Sequence, residues 1–139
     1  MLNQILPTKM KFFKSLFASA NVFALNSASA KSFTEGWPQI KSYYDILSKT
    51  FSASEKGNLK EIKSSSGILA VKAEELSIEG MPAEYRNPKI LETLLNLKKQ
   101  TKVVNYLVQE NVMDSEIRLA LTRLNEIFHQ IVELCLSED

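Results

Sequence analysis

The chain has 139 residues, of which 17 are basic and 16 acidic, and it holds one histidine and one cysteine. Both of these fall in Phe128-His129-Gln130-Ile131-Val132-Glu133-Leu134-Cys135. This scarcity excludes most self-contained chemistry, because a nucleophilic triad needs a base with an orienting group and a closed zinc site needs several protein ligands.

Lys9, Lys11 and Lys14 precede an apolar stretch from Leu16 to Leu25, followed by Asn26-Ser27-Ala28-Ser29-Ala30. A basic region, an apolar region and a small-residue end are the three parts of a secretory signal, with cleavage expected at Ala30/Lys31. Met10 is an alternative start to Met1, since Met10-Lys11-Phe12-Phe13-Lys14 is a typical signal opening. The apolar stretch falls short of the roughly 20 residues that span a bilayer, so no integral membrane segment is expected once the signal is removed. Residues 1–30 are therefore read as a signal peptide and 31–139 as the mature domain, placed in the periplasm or outside the cell.

The mature part carries fourteen bases and sixteen acids, a net charge of −2 with histidine neutral. Nucleic acid is not the expected partner of such a domain, because phosphate binding needs clustered Lys and Arg. The basic cluster Lys98-Lys99 and Lys102 reads as a solvated helix face. A lone Cys135 closes no disulfide within the chain, so stability must come from packing.

Four helices are expected, at about 37–52, 58–79, 88–110 and 114–136. In the first, Trp37, Ile40, Tyr44, Leu47 and Phe51 recur at steps of three and four, with Pro38 suited to the first turn. Ser52-Ala53-Ser54-Glu55-Lys56-Gly57 breaks that pattern, and Asn58 with Glu61 has the spacing of a capping box. The second helix places Leu59, Ile62, Ser66, Leu69, Ala73 and Leu76 inward, and the small residues around Ser64-Ser65-Ser66-Gly67 are expected to admit a close neighbour. Gly80 and Pro82 end it, and a short turn is expected at Pro82-Ala83-Glu84-Tyr85. Asn87-Pro88 caps the third helix, whose inner stripe is Ile90, Leu94, Leu97, Thr101, Val104 and Val108. Asn111 stops it. Asp114 caps the fourth, which carries Ile117, Leu121, Leu124, Phe128, Ile131 and Cys135 on one seam. The expected fold is all-α, an up-down-up-down four-helix bundle.

His129 and Cys135 are six residues apart, so at about 100° per residue they point roughly 120° away from each other and cannot share an ion from one helix. Cys135 continues the apolar seam as a small hydrophobe, while His129 lies at the flank of the core face. Paired carboxylates occur only as adjacent or surface acids, Glu74-Glu75 on one helix and Glu55, Glu61 and Glu79 near helix ends, and there is no inward-facing Glu-x-x-His motif for a di-iron site. The chain is accordingly not expected to be an enzyme.

Two segments carry a resemblance. Tyr43-Tyr44-Asp45-Ile46-Leu47-Ser48-Lys49-Thr50-Phe51-Ser52-Ala53-Ser54-Glu55-Lys56-Gly57-Asn58-Leu59 resembles Phe-His-x-Val-Met-x-x-Thr-Phe-His-Pro-Ala-Glu-Glu-Gly-Asn-Leu. Leu124-Asn125-Glu126-Ile127-Phe128-His129-Gln130-Ile131-Val132-Glu133-Leu134-Cys135 resembles Leu-His-x-x-Phe-His-x-Ile-Val-x-x-Cys. Both patterns belong to a family of uncharacterised secreted helical-bundle proteins of bacteria. The resemblance implies that family histidines fall at Tyr44, Ser52 and Asn125, and a methionine at Leu47, while His129 and Cys135 keep the pattern. It also implies a metal site, for zinc, copper or nickel, built where the first and last helices face each other. A weaker similarity is to the four-helix b-type cytochromes and cytochromes c prime, which implies a haem ligand at His129; the Cys-x-x-Cys-His motif of the c-type members is absent.

Three readings follow. The first is an exported, non-catalytic binding or accessory bundle with a depleted ligand set, expected to hold no cofactor. The second is a haem- or metal-binding electron-transfer bundle using His129. The third is a structural interaction module, with a periplasmic protein or a second copy as partner, that presents Tyr85 and Tyr106 or the loop from Gly80 to Asn87.

Overall fold

The computed structural model describes residues 33–136; the expected signal, residues 1–30, lies outside them. The described part is all-helical, with no strand among the described residues. In chain order it contains α1 (Pro38–Glu55), α2 (Lys60–Glu74), a 3-10 turn (Ala83–Tyr85), α3 (Pro88–Gln109) and α4 (Asp114–Leu136). None of its helices is long and apolar enough to cross a membrane.

Local chemistry sets most boundaries. Pro38 opens α1 at the first helical position, and the Trp37 carbonyl accepts from the N–H groups of Ile40 and Lys41, each at 3.1 Å. The helix passes the expected stop at 52 and runs to Glu55, because Ala53 and Ser54 fit a helix and the turn waits for Gly57. Gly57 takes a φ of 83°, the Asn58 N–H reaches Ala53 O at 2.9 Å, and the Gly57 N–H reaches Ser54 O at 2.9 Å. These two bonds close a Schellman motif on a residue with no Cβ penalty.

At the start of α2, the Asn58 side chain accepts from Lys60 N at 2.9 Å, two residues on, and the helix begins at Lys60. At its other end α2 stops at Glu74, five residues before the expected 79. Leu76 instead turns into the core fully buried, and its carbonyl accepts from Lys98 Nζ of α3 at 2.8 Å. A tertiary bond thus replaces the next helical one, as a backbone carbonyl facing the interior requires. For α3 the expectation holds: the Asn87 side chain accepts from Ile90 N at 2.9 Å with Pro88 behind it. Asn111, at φ 54°, ends α3 with a second Schellman pair, Val112 N to Leu107 O and Asn111 N to Val108 O.

Each helix packs on the next in sequence, and α4 also meets α1. Every position of the expected α2 and α4 stripes is buried, and so is the α3 stripe up to Val104, with Val108 only half-buried. In the α1 stripe Trp37, Ile40 and Leu47 are buried as expected, whereas Tyr44 and Phe51 are half-buried and the neighbouring Tyr43 and Thr50, with Ser54, take the core side. Thr50 can enter the core because its hydroxyl donates to Leu47 O at 2.9 Å, which removes the cost of burying it bare. Ser66 is buried against Asn105, to whose side-chain oxygen it donates at 2.9 Å. Gly67 faces open space, so it takes no part in the close approach expected at the small-residue stretch.

The segment between α2 and α3 folds over the beginning of α1. Met81 is buried, and Arg86 pins the loop by donating from Nε to Met81 O at 2.9 Å and from Nη2 to Glu79 O at 3.3 Å. Gly80 lies against the Gln39 side chain so closely that an added Cβ would come within 2.5 Å of Gln39 Nε2. Tyr85 stacks on Trp37 with ring centroids 6.0 Å apart and leans on Phe33 at 5.5 Å, and Phe33 meets the edge of Trp37 at 5.7 Å. Tyr85 is therefore half-buried in an aromatic cluster, and the expected exposed position does not hold for it.

Candidate functional site at the seam of α1 and α4

His129 sits past the middle of α4, half-buried, with buried Phe128 before it and exposed Gln130 after it. Its flank position follows from the helical period: Phe128, Ile131, Val132 and Cys135 take the core side and leave position 129 at the edge. Burial pulls the imidazole below its ordinary pKa, and the carboxylate of Glu133, one turn on, pulls the other way. The neutral form therefore prevails at pH 7, and that is the form in which an imidazole ligates a metal.

Helix α1 brings Tyr44 to this place. The Tyr44 ring lies parallel to Phe128, 20° between planes and 5.0 Å between centroids, and buried Tyr43 also stacks on Phe128 at 6.2 Å and 25°. Aromatic rings thus fill the seam where the resemblance expects imidazoles. Leu47 is fully buried, Asn125 is half-buried one turn before His129, and Ser52 is exposed near the end of α1. Cys135 is buried six residues beyond His129 on the core side. The structure brings position 44 onto Phe128, the residue before His129, and leaves position 52 facing solvent. Among the described residues no three His, Cys, Asp or Glu side chains are grouped so that they could hold a metal ion.

A second buried polar contact was not foreseen from the sequence. Thr101 donates to Leu97 O at 2.7 Å, so its one hydroxyl proton is committed, and the Tyr43 hydroxyl 2.7 Å away donates to Thr101 Oγ1. Burial raises the Tyr43 phenol far above its ordinary range, and it stays protonated as a donor. A threonine inside an otherwise aliphatic stripe was the available signal, since a buried hydroxyl requires a partner.

The rest of the surface is less organised. Lys98 is committed to Leu76 O, and Lys102 pairs with Glu74 at 3.3 Å, so two of the three clustered lysines tie α3 to the end of α2. Tyr106 stands exposed, as expected. An open groove of about 720 Å³ runs between Lys89 and Thr93 of α3 and Gln130, Glu133 and Leu134 of α4; His129 does not line it. No family model, curated protein or solved structure matches the chain.

Proposed function

We propose that this chain is an exported up-down-up-down four-helix bundle that acts without catalysis, as a binding or accessory protein in the periplasm or outside the cell. In this reading it is related to the secreted bundle family that it resembles, and it has lost most of that family's ligand histidines. Contacts between successive helices and between α4 and α1 support the bundle topology. The basic, apolar and small-residue order of residues 1–30 supports the export signal.

The observation that carries the reading is the stack of Tyr44 on Phe128, next to His129. A ring replaces a ligand at a place where α1 and α4 do meet, so the scaffold of the family site is kept while its coordinating groups are gone. Restoration tests this. Tyr44→His combined with Asn125→His should give the chain a Zn²⁺ or Cu²⁺ affinity that the natural sequence lacks, and removing His129 from that variant should abolish it. If the restored variant binds no better than the natural chain, the two helices do not present a site and the reading fails.

A further inference from the structure

We draw no further inference here: the strongest candidate, the apolar side chains Leu95, Val103 and Tyr106 left exposed along the outer face of α3, carries nothing because nothing in the structure shows what covers that face.

Discussion

The two interfaces of α4 are built from different materials. Against α3 the backbones come close: Ala120 offers little bulk, and Gln100 Nε2 reaches across to the Ala120 carbonyl at 3.1 Å. Against α1 the backbones approach at few places, and the space is filled by Tyr43, Tyr44 and Phe128. Small residues let helices come together, whereas large rings hold them apart and bury much area in few contacts. The α3 side joins α4 through close backbone approach, and the α1 side joins it through a few large rings.

The comparison is broken most directly at Phe128. Phe128→Ala removes a fully buried ring that touches both tyrosines and should cost about 3–5 kcal/mol, measured by denaturant unfolding. Hydrogen exchange on the same variant should show α1 amides opening at lower free energy than those of α3; uniform acceleration across all four helices would mean that the seam is no weaker than the rest.

A smaller effect is expected at the buried pair that joins α1 to α3. Thr101→Val strands the Tyr43 hydroxyl as a buried donor and should cost about 1–3 kcal/mol, against about 1 kcal/mol for Tyr43→Phe, which leaves Thr101 its own acceptor at Leu97 O. The double variant should cost less than the two singles together, because they share one interaction. Additive costs would show that the two hydroxyls do not interact, and equal costs for the two single variants would contradict the assigned direction of donation.

The smallest effect is a pH dependence. The folded chain holds His129 below its ordinary pKa of 6.5, so the unfolded chain binds the proton more readily. Stability from this group is complete above about pH 6.5 and is lost as pH falls through the lowered folded value. His129→Gln should flatten that part of the curve of unfolding free energy against pH. An unchanged slope would show that His129 does not feel the interior.

What could be read from the sequence depended on how local its cause was. The stripes of α2 and α4 were legible residue by residue because aliphatic side chains at helical spacing have one place to go. The α1 stripe was legible at Trp37, Ile40 and Leu47 but not at Thr50 and Ser54, which look like surface residues, and a bond back to the helix's own carbonyl makes Thr50 tolerable inside. The end of α2 was invisible locally, being set by a lysine on another helix, and Tyr85 was misjudged because Trp37 and Phe33, which bury it, lie far away in sequence. For the site, the flank position of His129 was legible from periodicity. That Tyr44 stacks on its neighbour Phe128, while Ser52 faces solvent, depends on how α1 and α4 meet, which no local pattern encodes.

In the proposed function His129 and Cys135 are what remains of a ligand set, and they stand six residues apart on one helix. Calorimetric titration of the natural protein with Zn²⁺ and Cu²⁺, repeated on His129→Ala, tests this most directly. The account predicts no binding tighter than micromolar and no difference between the two proteins; tighter binding that disappears with His129 would contradict it.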